Sequence, residues 1–133
     1  MIKLRIVSPQ GFYKEMETSI LNVVTTDGKI GILPSHMPVV AILEISNITT
    51  IENDNRETYA IAGGMLYFER DKATILTPSV ECSRDIDFNR AEKAKERAEV
   101  RLKSPMEDTD IKRAELALKR ALNRLKAAKS IND

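Results

Sequence analysis

The sequence predicts a β + α fold, an N-terminal β-sandwich followed by a C-terminal antiparallel two-helix hairpin. Three observations predict it. Residues 1–84 alternate short β-prone runs with turn-forming glycine, proline and Asn/Asp clusters, with no helical repeat between them. Residues 85–133 are rich in Ala, Lys, Arg, Glu and Leu at helical spacing. Between them, Ile86-Asp87-Phe88-Asn89-Arg90-Ala91 places a carboxylate where a helix would begin.

The first part builds its strands in order. Residues 3–7 alternate polar and apolar side chains, with Leu4 and Ile6 on one face. Ser8-Pro9-Gln10-Gly11 breaks that strand. Residues 20–26 are rich in β-branched side chains and end at the turn pair Asp27-Gly28. Gly31 is expected to turn the chain again. A long β-prone run over 39–51 closes at Asn53-Asp54-Asn55. Two further runs, 59–61 and 65–68, flank Gly63-Gly64, a pair that signals a bulge or a close backbone approach. Arg70-Asp71-Lys72 reads as a hairpin turn into residues 73–76.

In the second part, Ala91, Ala94, Ala98 and Leu102 fall at spacings of 3, 4 and 4 and share one helical face. Lys103-Ser104-Pro105-Met106 stops that helix, and Asp108-Thr109-Asp110 offers caps for the next. Its stripe is Ile111, Ala114, Leu118, Ala121, Leu125 and Ala128, widened by Ala117 and Leu122. Alanine stripes bury little area, so the hairpin gains less than a leucine-rich one at ~25 cal/mol per Å². A weakly held pair that can leave its sheet and a stable hairpin packed on the sandwich both remain open from composition.

Composition excludes several classes. No apolar run approaches the roughly 20 residues of a membrane helix, and the N-terminus lacks the apolar core of a signal peptide. The single cysteine, Cys82, allows no internal disulfide and suggests no zinc site. Net charge is +1, but residues 1–82 carry −3 and residues 83–133 carry +4. The helical part is thus basic enough to meet an acidic surface. It lacks the dense basic face and exposed aromatics of a nucleic-acid binder.

Candidate sites are few. The glycines Gly28, Gly31, Gly63 and Gly64 form no phosphate-loop pattern. His36, the only histidine, sits in Leu33-Pro34-Ser35-His36-Met37-Pro38, a loop stiffened by two prolines. It has no neighbours for a metal, and Ser35-His36 lacks a third triad member. A rigid docking loop is the better use. Asp87 serves as a helix cap, as part of a nucleotide site, or as both.

The order of these segments resembles the epsilon subunit of F-type ATP synthase. The residues that carry the resemblance are Asp27-Gly28-Lys29-Ile30-Gly31-Ile32-Leu33-Pro34-Ser35-His36-Met37-Pro38, Ala62-Gly63-Gly64-Met65-Leu66 and Ala114-Glu115-Leu116-Ala117-Leu118-Lys119-Arg120-Ala121. It spans essentially the whole chain. It implies a non-catalytic rotor protein with a β-sandwich over 1–84 bound to the gamma subunit and the c-ring, and a regulatory hairpin over 85–133. Gly31, His36 and Met37 are the implied rotor contacts. The implied hairpin can extend to the alpha/beta catalytic head and block ATP hydrolysis, with Lys119, Arg120, Arg124 and Lys126 meeting an acidic segment.

Ile86-Asp87-x-x-Arg90-Ala91 also matches the family's ATP-binding signature at every fixed position. The resemblance adds Glu81, Arg97, Arg120 and Arg124 to Ile86, Asp87, Arg90 and Ala91 as nucleotide contacts. Arginines fork onto phosphates, and carboxylates accept from adenine or ribose. No P-loop lysine or hydrolytic base is present, so ATP would be a regulatory ligand and no cofactor is required. The expected location is the cytoplasmic face of a bacterial plasma membrane, through protein partners. The alternative is a purely structural rotor connector with a permanently folded hairpin.

Overall fold

The computed structural model describes residues 1–105 and 110–129. They divide into two compact units, Met1–Cys82 and one beginning at Ser83. In the first, the strands are β1 (Ile2–Ser8), β2 (Gly11–Thr18), β3 (Leu21–Thr25), β4 (Gly28–Ile32), β5 (Val39–Glu52), β6 (Asn55–Glu69), β7 (Lys72–Leu76) and β8 (Val80–Cys82). They follow the order β2-β1-β7-β6-β5-β3-β4, with β8 also paired to β6. All pairs are antiparallel except β1 with β7.

The long strands β5 and β6 serve both layers of the sandwich. Residues 65–69 of β6 pair with β7, whereas residues 59–61 pair with β8. Gly63 and Gly64 lie between these stretches, at φ 79° and 129°. Pairing with β5 keeps its count across them, so no extra residue is bulged out. The constraint is close approach: a Cβ on Gly64 would lie 2.0 Å from the Leu76 carbonyl oxygen. The two runs expected around the glycines are thus one strand that changes partner at this corner.

Alternation fills the core. Ile2, Leu4 and Ile6 are fully buried while Lys3 and Arg5 point to solvent. They pack with Leu21, Val23, Ile32, Ile48, Tyr59, Leu66 and Ile75. Hairpin chemistry follows the turn residues. Asn53 and Asp54, at φ 51° and 65°, close β5 onto β6, and Arg70 and Asp71, at φ 50° and 61°, close β6 onto β7. Gly31 does not turn the chain. It pairs with Asn22 inside β4, where a Cβ would meet the Asn22 Oδ1 at 3.0 Å.

One polar cluster ties β2 to the β5–β6 hairpin. Lys14 Nζ donates to Glu52 Oε1 at 3.0 Å and to the Tyr59 hydroxyl at 2.8 Å. Glu52 Oε2 accepts from Tyr59 at 2.7 Å and from Thr50 at 2.6 Å. Burial works against the Glu52 carboxylate, but hydrogen bonds from Thr50, Tyr59 and Lys14 outweigh it and lower its pKa. Burial likewise opposes the Lys14 ammonium, yet its bonds to Tyr59 and Glu52 raise its pKa overall. Burial pushes the Tyr59 hydroxyl up, with Lys14 pulling against it and Glu52 reinforcing it.

The second unit opens with a 3-10 turn, Ser83–Asp85, followed by α1 (Phe88–Lys103) and α2 (Ile111–Lys129). The helices pack on each other, and α2 also touches the 3-10 turn that precedes α1, as an antiparallel pair requires. Ala91 and Ala98 of α1 are buried, with Ala94 and Leu102 half-buried beside them. On α2, Ala114, Ala121 and Leu125 are buried as the spacing predicts. Ile111 and Leu122 are instead exposed, and Ala127 is buried in place of Ala128. The buried stripe is therefore narrower than the sequence pattern, with Ile111 and Leu122 at its exposed edge.

Two outcomes test this architecture. Gly64→Ala should cost about 2–4 kcal/mol in denaturant unfolding, since it adds overpacking to strain. Gly28→Ala should cost less, because at φ 125° it is strained but has open space around it. Glu52 makes stability pH-dependent. Its folded pKa is depressed, so its contribution is whole above the unfolded value of about 4.3 and is lost as pH falls through the folded pKa. Thermal melts in acid should show a shallower pH slope for Glu52→Gln than for wild type; equal slopes would remove this role.

Candidate functional site

The Ile86-to-Ala91 segment begins α1, and its residues divide by task. Asp87 is the N-cap: its Oδ1 accepts from the Arg90 N–H at 3.1 Å, and its carbonyl accepts from the Ala91 N–H at 3.0 Å. Ile86 and Ala91 are buried, at 9% and 0% exposure. Three of the four fixed motif positions thus have a structural task. The fourth, Arg90, has an exposed side chain.

The helical pair sets the geometry of the other candidates. Arg90 lies thirteen residues before the end of α1 at Lys103, and Arg124 thirteen residues after the start of α2 at Ile111. In an antiparallel pair both positions lie toward the end of the pair away from the connection. Arg120 is one turn from Arg124, and Arg97 two turns along α1 from Arg90. With the buried stripes facing each other, all four arginines fall on the same side of the pair. Arg90, Arg97 and Arg120 are exposed and Arg124 is half-buried. Arg97 shares an exposed face of α1 with Lys93, Glu96, Val100 and Arg101.

Lys119 and Lys126, seven residues apart, form a second row on the other side of α2. The four cations Lys119, Arg120, Arg124 and Lys126 therefore do not make one patch; the arginines and the lysines face apart. Glu81 belongs to the sandwich unit, half-buried in β8 opposite Ala60. Asp110 caps α2 by accepting from the Arg113 N–H at 3.0 Å. The other expected caps, Asp108 and Thr109, and Met106 of the stop signal lie outside the described residues.

The sandwich carries a second candidate surface. Ile42 pairs with Met65, Met65 with Leu76, Leu76 with Val7, and Val7 with Phe12, so one apolar row crosses five strands. Ile42 and Phe12 are 59% and 55% exposed. Val40 and Tyr67 form the start of a parallel row. The exposed Leu33 and Met37 belong to the proline-stiffened loop that leads into β5. His36 is half-buried, with its ring edge-on to Phe68 at 6.0 Å. Sequence reasoning found the loop but not the rows. The available signal was the unbroken apolar run from Val39 to Leu43, which makes both faces of β5 apolar.

The comparisons agree with this two-part build. The family model for the ATP synthase delta/epsilon chain beta-sandwich domain matches residues 1–83, and that for the long alpha-helix domain of the same chain matches residues 84–129. The class is therefore an ATP synthase subunit. The epsilon chain of Levilactobacillus brevis is 41% identical over 107 residues, covering 80% of this chain and 77% of that one. That of Bacillus subtilis is 42% identical over 108 residues, covering 81% and 82%. A chain of the Euglena gracilis mitochondrial ATP synthase, in a structure of OSCP, F1 and the c-ring, superposes with a TM-score of 0.81 at 25% identity, over 96% of this chain and 81% of that one. The protein belongs to the ATP synthase delta/epsilon chain family, as an epsilon-type, non-catalytic subunit of the central stalk.

The caps give a direct test. Asp87→Ala and Asp110→Ala should each lower the stability of the helical unit by about 1 kcal/mol, seen as faster amide exchange in the first turn of the affected helix. Unchanged exchange would mean that the carboxylates do not hold the helix ends.

Proposed function

We propose that this subunit turns with the rotor, docked on the gamma subunit and beside the c-ring, and couples proton flow to ATP synthesis. Its helical pair binds ATP as a regulatory ligand. Without ATP the pair leaves its folded arrangement and inhibits ATP hydrolysis at the alpha/beta head. The docking surface is the pair of apolar rows on the sandwich together with the loop bearing His36 and Met37, next to Gly31. The relatives' bacterial sources support a site on the cytoplasmic face of the plasma membrane, reached through protein partners. No helix among the described residues is long and apolar enough to cross a membrane.

The observation that carries ATP binding is the division of labour in the motif. Ile86, Asp87 and Ala91 build the helix start, while Arg90 extends into solvent on the same side of the pair as Arg97, Arg120 and Arg124. Four guanidinium groups along one edge suit a polyphosphate. ATP bridging both helices favours the folded pair over any state that separates them. At one hundred times its dissociation constant it adds about 2.7 kcal/mol to the folded side. In the extended state Arg120 and Arg124 are released toward an acidic partner, with Lys119 and Lys126 on the other side of α2.

A purely structural connector is the second reading, and the Asp87 cap favours it, since capping alone accounts for that carboxylate. Because Asp87 also caps, the discriminating variants are Arg90→Ala and Arg124→Ala. Calorimetric titration with ATP should give saturable binding that weakens at least tenfold in each variant while helix content by circular dichroism stays level. A flat wild-type titration at millimolar ATP would leave only the connector.

A further inference from the structure

Loop 33–38 contains a backbone conformation that its own sequence does not favour. Leu33 C=O accepts from the His36 N–H at 3.1 Å, which closes a β-turn with Pro34 and Ser35 at its centre. Pro34 suits the first central position of either common turn type. Ser35, at φ 69°, takes the second central position of a type II turn, a place that normally calls for glycine. Type II differs from type I by a flip of the peptide between these two residues. The N–H of that peptide belongs to Ser35, and it donates to Asp71 Oδ1 at 2.6 Å. Asp71 sits 36 residues away in the β6–β7 turn. That turn is tied down on both sides: Glu69 pairs with Lys72, and the Asp71 carbonyl accepts from the Lys3 N–H at 2.9 Å.

We infer that Asp71 is the positioning residue of the docking loop. Its carboxylate selects the flipped, type II form by accepting a hydrogen bond that the type I form would aim elsewhere. That choice sets the direction in which the chain leaves the turn. It leaves His36 edge-on to Phe68, with the His36 Nδ1 2.8 Å from the Met37 carbonyl oxygen. Met37 is 72% exposed beyond it. Pre-forming the loop removes an ordering cost that binding would otherwise meet. The inference rests on the docking surface proposed above, and it assigns a contact-shaping role to a residue that need not touch the partner.

Substitution can separate shape from stability. Asp71→Gly accepts the φ of 61° at least as well as aspartate, so the hairpin stands, but the Ser35 N–H loses its acceptor. Asp71→Asn tolerates the same backbone and keeps an acceptor oxygen. Ser35→Gly favours the type II form without help. The probe is a detergent-solubilised rotor subcomplex of gamma and c-ring, with Met37→Asp as the control for docking itself. Asp71→Gly should weaken binding on the order of tenfold, the usual weight of one hydrogen bond to a charged acceptor. Its melting temperature should stay level and the Ser35 and His36 amide resonances should shift. Asp71→Asn, and Ser35→Gly added to Asp71→Gly, should restore binding. If Met37→Asp weakens binding and Asp71→Gly does not, the positioning role is overturned and the docking surface stands. If Met37→Asp has no effect, the docking surface fails, and the role of Asp71 in it fails too.

Discussion

The sandwich depends on one close approach, between the backbone of β6 at Gly64 and the carbonyl of Leu76. β6 pairs with β8 on one side of this point and with β7 on the other. A strand can change partners this way only where no side chain stands between the two backbones. With that space kept empty, a single strand of fifteen residues supports both layers, and β5 follows it in register along nearly its full length. The buried faces of β1, β3 and β7 then close over one core. The apolar outer row from Ile42 to Phe12 is a product of the same corner, since it requires β5, β6, β7, β1 and β2 to lie side by side.

The helical unit is held by different physics. Alanine buries little surface, so side-chain burial stabilises the two helices less and their caps count for more. Asp87 and Asp110 each satisfy a helix-end N–H. A pair built this way has a smaller apolar reserve than the leucine- and isoleucine-filled sandwich. The two units thus differ in what fills them, leucine and isoleucine in the sandwich and mostly alanine between the helices.

Much was legible before any coordinates. The strand-and-turn pattern, the stop after Lys103 and the helix start at Asp87 all come from local rules: turn residues at positive φ, alternation, and a carboxylate before an amphipathic run. The local rules failed where a partner strand decides the outcome. Gly31 looked like a turn but lies in β4, because it pairs with Asn22 of β3, whose Oδ1 fills the space a side chain would need. Strands β2 and β8 went unread, the first because its exposed residues blur the alternation and the second because it is only three residues long. Leu122 looked like core but is exposed, since it lies at the edge of the stripe that Ala114, Ala121 and Leu125 define.

The sequence by itself determined the two-part organisation, the family resemblance and the identity of the basic residues on the helices. These are encoded locally, within a few residues of chain. Only the tertiary structure decided that Arg90, Arg97, Arg120 and Arg124 share a side while Lys119 and Lys126 face away, since this depends on two helices being antiparallel with stripes opposed. It alone brought Asp71 to Ser35, and aligned Ile42, Met65, Leu76, Val7 and Phe12 into one row. Such juxtapositions depend on strand order and register, including the parallel pairing of β1 with β7, and no local pattern in the chain specifies which strands will be neighbours.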